Sequence, residues 1–284
     1  QARPDDQIRV VLGKADARAV PPGSPYLSQT APDTEYFRGS LGDAWTPIQT
    51  ETGMKIQGST ALVTGANRGL GLAYARALLA AGASRVYAGA RDPASVPLSG
   101  VVPVKLDVTS AIDLAEAARQ CVDVEIIINN AGVIGNTALL ASDGEEALQK
   151  VLATNLHGVH AVSRAFAPVL KSNGGGAIVN MLSALSWISL PNTGAYSVSK
   201  AAAWALTNGL RLELREQGTL VIAVHAGYID TDMVSGVEAP KAKPEDVASA
   251  VMKAIENGVP EVLVDDTARQ VKHGLNASPS AYLG

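Results

Sequence analysis

The sequence predicts an α/β fold built on a doubly wound parallel sheet, and three observations support this prediction. From about Met54 onward, short apolar runs rich in β-branched residues alternate with longer amphipathic stretches. Such an alternation of strand and helix favours parallel strands joined by right-handed crossovers. The strand candidates are apolar along their whole length, which is typical of a sheet covered on both faces. The length of 284 residues suits one large α/β domain or two small ones.

The predicted elements follow one another in a regular order. The strand candidates are TALVTG, RVYAGA, VVPVKL, VEIIINN, GAIVNML, LVIAVH and PEVLVD. The helical patterns between them are GLAYARALLAAG, AIDLAEAARQC, EEALQKVLATNLHGVHAVSRAFAPVLK and AYSVSKAAAWALTNGLRLELREQ. Ligands of such sheets bind at the carboxyl ends of the strands, so the residues that follow each strand are the candidates for a site.

Residues 1–53 differ in composition from the rest of the chain. They are rich in Pro, Gly, Asp and Thr, and segments such as PPGSP interrupt any helical or strand period. We interpret residues 1–53 as an extension of unknown role that precedes a domain spanning residues 54–284. A chain that begins at Met54 is therefore expected to fold and to keep its activity.

Composition and charge exclude several classes of function. The net charge is −4 and no cluster of lysine and arginine is present, which argues against nucleic-acid binding. The single cysteine, Cys121, excludes a disulfide framework and a zinc site built on several cysteines, and we interpret it as a small core residue or an inert thiol. The four scattered histidines, His157, His160, His225 and His273, form no metal-ligand pattern, so no metal is expected. No apolar run reaches the roughly 18 residues that span a membrane, and a cytoplasmic setting is the expectation.

The segment TGANRGLG, residues 64–71, joins the first predicted strand to the first predicted helix. Glycines at such a junction permit a tight turn and let the backbone approach a pyrophosphate at the N-terminus of the helix. A glycine-rich turn without a ligand is the alternative, but the strand before the loop and the helix after it favour a dinucleotide site. The sequence thus predicts a Rossmann-type fold in a single domain.

Tyr196 and Lys200 lie four residues apart in a small, apolar, helix-favouring stretch. On a helix they occupy the same side, one turn apart. A lysine that snorkels beside a half-buried tyrosine is one interpretation. The other is chemical, because a neighbouring cation stabilises a phenolate, lowers the pKa of the tyrosine from near 10 and makes it a usable proton donor or acceptor.

Several motifs in a fixed order decide between these interpretations. They are TGANRGLG (64–71), LDVT (106–109), NNAG (129–132), Asn155, Ser183, YSVSK (196–200) and HAGYIDTDM (225–233). On these motifs the chain resembles the short-chain dehydrogenase/reductase family from about Met54 to Asp265. One departure is the pair Ala226-Gly227, where family members usually have Pro-Gly.

The resemblance implies roles for four catalytic residues. Tyr196 would act as general acid in carbonyl reduction and as general base in alcohol oxidation, and Lys200 would also bind the nicotinamide ribose. The hydroxyl of Ser183 is suited to hold the substrate oxygen beside the tyrosine. Asn155 would keep a water in a proton relay with Lys200, although a residue at a bend of the helix is the alternative interpretation.

The resemblance also implies the residues that surround cofactor and substrate. The cofactor residues are Gly65, Asn67, Arg68, Gly69, Leu70, Gly71, Arg91, Asp107, Val108, Asn130, Ala131, Gly132, Tyr196, Lys200, Gly227, Ile229 and Thr231, with a purely structural role as the alternative for the NNAG segment. The candidate pocket walls are Leu185, Trp187, Ile188, Leu190, Tyr228 and Met233. Their apolar character predicts a hydrophobic ketone or aldehyde, or the matching alcohol, as substrate.

Charge near the second strand predicts the form of the cofactor. NAD-dependent enzymes commonly place an acid at the end of this strand, to bind the ribose hydroxyls. Here Ala90 stands at that position and Arg91 follows it, while Arg68 lies in the glycine loop. Two guanidinium groups suit a 2′-phosphate, so NADP(H) is the predicted cofactor. Asp92 as a ribose ligand, or two solvated surface arginines, are the alternatives.

The remaining expectations concern assembly and rival functions. The resemblance implies a homodimer or homotetramer that pairs the helices carrying Asn155 and Tyr196. A catalytically silent NADP-binding regulator of the same fold is the main rival, and the presence of all four catalytic residues argues against it. The segment after residue 260 lacks the family's usual carrier-protein reductase ending, which disfavours a role in fatty-acid synthesis.

Overall fold

The computed structural model describes residues 53–283 and contains a seven-stranded, fully parallel sheet. The strands are β1 (Thr60–Thr64), β2 (Arg85–Ala90), β3 (Val102–Lys105), β4 (Ile126–Asn129), β5 (Gly176–Met181), β6 (Thr219–His225) and β7 (Glu261–Leu263). Their spatial order is β3-β2-β1-β4-β5-β6-β7. Successive strands are added toward one edge of the sheet from β1 to β3 and toward the other edge from β4 to β7. The switch between β1 and β4 is the point at which doubly wound sheets bind ligands. The prediction of a Rossmann-type, doubly wound sheet is confirmed.

Helices cover both faces of the sheet. They are α1 (Gly69–Ala80), α2 (Ala111–Gln120), α3 (Gly144–Leu152), α4 (Val159–Ser172), α5 (Gly194–Glu213), α6 (Pro244–Asn257) and α7 (Asp266–Gly274). The long helical pattern after β4 is interrupted, because a π-helical segment (Ala153–Gly158) separates α3 from α4. Helices α6 and α7 were not among the elements predicted from the sequence. The signals for α6 were present, since Pro244 lies at its first turn and Gly258 ends it in the left-handed conformation.

Alternate side chains of the strands face two separate apolar layers. Ile126 and Ile128 of β4 join the layer formed with α1 and α6, whereas Ile127 joins the layer formed with α2, α4 and α5. All three isoleucines are fully buried. Each such side chain stabilises the fold by about 1.5–3 kcal/mol, so the sheet is fixed on both faces and its carboxyl edge is a rigid platform.

The first residues that the structure describes already belong to this domain. The backbone N–H of Met54 donates a hydrogen bond of 3.1 Å to the carbonyl of Ile255 at the end of α6. The remaining residues of the proposed N-terminal extension, 1–52, lie outside the described residues. Within residues 53–283, no helix is both long and apolar enough to cross a membrane.

Candidate active site

A cavity of about 1100 Å³ lies at the carboxyl edge of the sheet, above β1, β4, β5 and β6. The glycine loop, the segments after β2 and β3, the NNAG segment, the turn after β5, the start of α5 and the loop after β6 all contribute to its wall. The predicted site residues in that wall are Gly65, Asn67, Arg68, Gly69, Leu70, Gly71, Arg91, Asp107, Val108, Asn130, Ala131, Gly132, Ser183, Leu185, Ile188, Leu190, Tyr196, Lys200, Gly227, Tyr228, Ile229, Thr231 and Met233. Segments far apart in sequence are thus brought to one space.

The glycine loop turns tightly from β1 into α1. Gly65 and Gly69 adopt positive φ angles of 65° and 51°, a conformation that side chains disfavour. A Cβ atom at Gly71 would lie only 2.1 Å from the carbonyl oxygen of Gly65. The loop therefore exposes backbone N–H groups and the N-terminus of α1 to the cavity without side chains in between. This cradle fits a pyrophosphate.

The NNAG segment holds the glycine loop in place. The hydroxyl of Thr64 accepts hydrogen bonds from the backbone N–H groups of Asn130 (3.0 Å) and Ala131 (2.9 Å). The side-chain amide of Asn130 donates to the carbonyl oxygen of Thr64 at 3.0 Å. Asn129, buried one residue earlier, donates to Asn180 of β5 at 2.9 Å. The segment thus has a structural role, and Asn130, Ala131 and Gly132 also line the cavity.

The groups at the end of β2 are charged and mostly exposed. Arg68 and Arg91 both line the cavity. The guanidinium of Arg68 lies 3.8 Å from the carboxylate of Asp232, and its side chain is 73% exposed. Asp92 accepts a hydrogen bond from the N–H of Ala94 at 3.0 Å, so its carboxylate caps the following short 3-10 turn. Both arginines and Asp92 therefore line the cavity, and Arg68 and Asp92 each also have a partner within the protein.

Asp107, at the end of β3, is held in its charged form. Its carboxylate accepts hydrogen bonds from the hydroxyl of Thr109 (2.7 Å) and from the Thr109 N–H (2.9 Å). These bonds, with a smaller contribution from the positive charge of Arg91, lower the pKa of Asp107. Asp107 thus adds a fixed negative charge to the same end of the cavity as the two arginines.

Tyr196, Lys200 and Ser183 meet at the other end of the cavity. Tyr196 and Lys200 lie one turn apart on α5, and the Nζ atom of Lys200 is 5.6 Å from the centre of the tyrosine ring. Lys200 is buried and donates a hydrogen bond of 2.7 Å to the carbonyl oxygen of Met181, the last residue of β5. Ser183 follows two residues later and forms a hydrogen bond with Tyr196. The three side chains are thus positioned by the end of one strand and one helix.

The pKa values differ from the expectation that Lys200 lowers the pKa of Tyr196. Burial raises the pKa of Tyr196 to about 12, and the hydrogen bond with Ser183 opposes this effect only in part. Burial also lowers the pKa of Lys200 to about 8. The reason is desolvation, which disfavours both charged forms and outweighs the attraction across the distance between the two groups.

Asn155 lies in the π-helical segment and is fully buried. Its side-chain oxygen accepts from the N–H of Val133 at 2.9 Å, and its amide donates to the carbonyl of Val133 and to the Ser199 hydroxyl, both at 2.9 Å. A Cβ atom at Gly132 would lie 3.3 Å from the Asn155 oxygen and 3.9 Å from Lys200 Nζ. Asn155 therefore lies at a helix irregularity, as one interpretation predicted, and its side chain lies near Gly132 and Lys200 without being part of the cavity wall.

Trp187 is a correction to the predicted pocket wall. Five of the six predicted wall residues line the cavity, but Trp187 does not. The 3-10 turn Ala184–Ser186 carries it to the far side of the loop, where its ring stacks on His225 with centres 3.9 Å apart and an interplanar angle of 18°. Trp204 packs edge-on against the Trp187 ring, with ring centres 6.2 Å apart.

Three residues near the site were not singled out as site residues from the sequence. Thr267 lines the cavity, and a Cβ atom at Gly227 would collide with it. Asp265 accepts a hydrogen bond of 2.8 Å from the N–H of Gly227 and also caps the N-terminus of α7. The helix-capping pattern of Asp265 was a readable signal. His225 is buried and is the last residue of β6, and this position at a strand end was the only feature of the sequence that placed it near the site.

In the part of the chain that the structure describes, no group of three or more His, Cys, Asp or Glu side chains is arranged to hold a metal ion. Cys121 lies buried in the apolar layer with α2 and α4, and burial raises the pKa of its thiol to about 12. His157 and His160 are exposed.

Comparison with known proteins identifies the family. Residues 59–242 match the family model for short chain dehydrogenases. A short chain dehydrogenase of Aspergillus terreus, tazN, is 34% identical to this chain in the aligned region. That region covers 66% of this chain but only 44% of the Aspergillus protein. A 3-oxoacyl-[acyl-carrier-protein] reductase of Synechocystis is 30% identical over 69% of this chain and 88% of its own length.

Solved structures agree with this result. The crystal structure of a short chain dehydrogenase from Burkholderia cenocepacia, in complex with NADP, superposes with a TM-score of 0.77 and 41% sequence identity. The alignment covers 80% of this chain and 97% of that one. The match to the family model over more than half of the chain and the agreement with these relatives show that the chain belongs to the short-chain dehydrogenase/reductase family.

Proposed function

We propose that the protein is an NADPH-dependent oxidoreductase that interconverts a hydrophobic ketone or aldehyde and the matching alcohol. The observation that carries this proposal is the convergence of Ser183, Tyr196 and Lys200 at one end of a cavity whose other end is a glycine cradle. The cofactor and the substrate would share this cavity. The NADP complex of the Burkholderia relative supports the choice of cofactor.

The cradle would hold the pyrophosphate on the N–H groups between Gly65 and Gly71, and Lys200 would bind the nicotinamide ribose. When bound, the cofactor supplies or accepts the hydride. The residues of this chain then handle the proton. In reduction, the Tyr196 hydroxyl gives its proton to the carbonyl oxygen as the carbon gains hydride, and an alcohol and a tyrosinate result. The Ser183 hydroxyl donates a hydrogen bond to the same oxygen and keeps it beside Tyr196.

The ionisation states in the cavity favour proton donation. With a pKa of about 12, Tyr196 is protonated throughout the physiological range and always has a proton to give. With a pKa of about 8, Lys200 remains mostly protonated near neutral pH and stabilises the tyrosinate that forms. We infer that Lys200, which lies near Asn155 beside Gly132, takes part in returning a proton from solvent to Tyr196.

We infer a preference for NADPH over NADH from Arg68 and Arg91. Both line the cavity beside Asp92, the alternative ribose ligand, and the Oδ1 atom of Asp92 already accepts the N–H of Ala94 as a cap. A hydrogen bond to a charged group contributes about 1.5–3 kcal/mol, so two arginines could favour a 2′-phosphate by roughly 10² or more.

The experiment is a comparison of kcat/KM for NADPH and NADH. Arg68→Ala and Arg91→Ala should each raise the KM for NADPH and leave that for NADH nearly unchanged. Arg76→Ala, which removes an exposed arginine on the outer side of α1, is the matched control. Equal kcat/KM for both cofactors in the unmutated protein would contradict the inference and would point to Asp92 as the ribose ligand.

The substrate class follows from the pocket wall. Leu185, Ile188, Leu190 and Met233 share the cavity wall with Ser183 and Tyr196 and offer apolar contacts to a substrate. A panel of acetophenone, 2-octanone, 1-decalone and octanal, followed by the loss of NADPH absorbance, tests this class. Polar sugars as the only substrates would contradict it.

A catalytically silent NADP-binding regulator remains the second candidate function. It would bind NADPH with the same residues but oxidise none with any carbonyl compound. The presence of Ser183, Tyr196 and Lys200 in the cavity wall, with Asn155 buried close to Lys200, favours the enzyme. The carbonyl panel separates the two functions, because binding without turnover would favour the regulator.

A further inference from the structure

His225 is a buried titratable residue that the proposed mechanism does not use. It ends β6 directly behind the turn that carries Ser183, and its side chain is fully buried. Its Nδ1 atom lies 3.0 Å from the carbonyl oxygen of Ser183. A carbonyl only accepts hydrogen bonds, so Nδ1 must carry the hydrogen and donate it.

This tautomer leaves the other ring nitrogen without a donor role. Among residues 53–283, Nε2 of His225 has no hydrogen-bond partner, and the nearby carboxylate of Glu261 is 3.8 Å away. A carboxylate cannot donate to an unprotonated nitrogen, and Glu261 instead forms an ion pair with Lys272. A buried polar atom without a partner calls for an explanation. The geometry offers an explanation: the hydrogen bond from Nδ1–H to the Ser183 carbonyl fixes the orientation of the ring, and in that orientation Nε2 faces no donor among the described residues.

The ring of His225 also holds the other end of the same turn. Trp187 stacks on it at 3.9 Å, and Lys272 lies 5.7 Å above the Trp187 ring. Between these two points, the N–H of Ser183 donates to the Ser186 hydroxyl at 3.3 Å. The turn from Ser183 to Trp187 is thus clamped to one imidazole by a hydrogen bond at its start and by stacking at its end.

The direction of the serine hydroxyl depends on this turn. The Ser183 Oγ atom accepts from the N–H of Leu185 at 3.1 Å and lies 3.4 Å from the carbonyl of Ala226, the residue after His225. That carbonyl also accepts from the N–H of Ala184 at 2.8 Å. A shift of the turn away from the end of β6 would therefore change where Oγ lies relative to Tyr196.

We propose that His225 is a positioning residue for Ser183, which holds the main chain of the serine through Nδ1–H and the turn Ser183–Trp187 through stacking. This role rests on the proposed function, because it acts through the serine that would bind the substrate oxygen. His225 itself is on the far side of the turn and touches neither substrate nor cofactor.

The first test is kinetic and uses three variants. His225→Phe keeps a flat ring for Trp187 but lacks the donor, and it should lower kcat by about tenfold or more with the KM for NADPH nearly unchanged. His225→Asn can place an amide N–H near the position of Nδ1 but removes the stacked ring, so its kcat should lie between those of His225→Phe and the wild type. His273→Phe makes the same change at an exposed site on α7, outside the two helices that are expected to pair, and should behave as wild type. The substrate is the carbonyl compound of the panel that the wild type reduces fastest.

A double-mutant cycle with Ser183→Ala separates positioning from general damage. If His225 acts through Ser183, His225→Phe should cost less than about twofold in kcat in the Ser183→Ala background. Two results would overturn the proposal: the same fold loss of kcat from His225→Phe with and without Ser183→Ala, or near wild-type kcat for His225→Phe alone. In either case an active wild type would still support the proposed function. A wild type that reduces no carbonyl compound would overturn both.

The second test does not need activity or a folded His225→Phe variant. The chain has four histidines, so ¹⁵N-histidine labelling gives few imidazole signals, and His225→Asn assigns the one that disappears. The proposal predicts the Nδ1–H tautomer for that signal near neutral pH. An Nε2–H tautomer or a doubly protonated ring would contradict the hydrogen bond to Ser183 and overturn the proposal.

Discussion

His225 should make the fold sensitive to acid, and the size of the effect follows from its surroundings. Burial is the main cause that lowers its pKa from 6.5 to about 4. The hydrogen bond to the carbonyl of Ser183 opposes this shift, whereas the positive charges of Lys272, Arg211 and Lys200 add to it. Glu261 faces Nε2 from β7, but its charge is shared with Lys272.

The sign follows from the protons bound in each state. In the unfolded chain His225 gains its proton as the pH falls through about 6.5, whereas in the folded protein it gains it only near pH 4. Between these values the unfolded state binds more protons, so the free energy of unfolding falls as the pH falls. The pKa falls from 6.5 to about 4, and each pKa unit corresponds to roughly 1.4 kcal/mol, so the full loss of unfolding free energy below both values is about 3.5 kcal/mol.

The assay is urea unfolding of the wild type and of His225→Phe at neutral pH and near pH 4.5. Other groups that titrate contribute equally to both proteins, so the comparison isolates His225. The wild type should lose about 2.5 kcal/mol more than the variant between the two pH values. Equal losses would refute the reasoning, because they would mean that His225 is not held neutral in the folded protein.

The other predictions concern the cradle and assembly. Gly71→Ala would place a Cβ atom 2.1 Å from the Gly65 carbonyl oxygen and should weaken NADPH binding at least about tenfold in a fluorescence titration. Gly209→Ala, in α5 with nothing within 4 Å of the new atom, is the matched control; unchanged binding in Gly71→Ala would argue against the cradle. Light scattering at micromolar concentration should give the mass of a dimer or tetramer, and the mass of a single chain would reject the pairing of the Asn155 and Tyr196 helices.

The sheet was predictable because its signal is local. Each strand is a short apolar run with β-branched residues, and the alternation with amphipathic helices specifies parallel order. The positions of the glycine loop, Ser183 and the pair Tyr196–Lys200 follow from the same rule, since residues after parallel strands meet at one edge. An irregularity of the helix at Asn155 was one of the two interpretations of that residue, but its π-helical form depends on the buried hydrogen bonds of Asn155 to Val133 and Ser199, which the sequence does not show.

Trp187 and His225 show why parts of the site escaped the sequence. An apolar residue close after Ser183 could face the cavity or the opposite side, and the 3-10 turn Ala184–Ser186 decides which. That turn depends on a hydrogen bond between Ser183 and Ser186 and on the stack with His225, which comes from a distant strand. The pKa of Tyr196 was also misjudged, because the degree of burial of a helix face is a tertiary property.

The central claim is that Tyr196 gives the proton in a reduction that NADPH drives. Tyr196→Phe removes one hydroxyl and keeps the ring. With the best carbonyl compound of the panel, its kcat should fall by at least about 10², while NADPH still binds with wild-type affinity. Tyr282→Phe, which deletes an exposed hydroxyl near the C-terminus, should keep wild-type turnover. Turnover of Tyr196→Phe close to that of the wild type would contradict the mechanism.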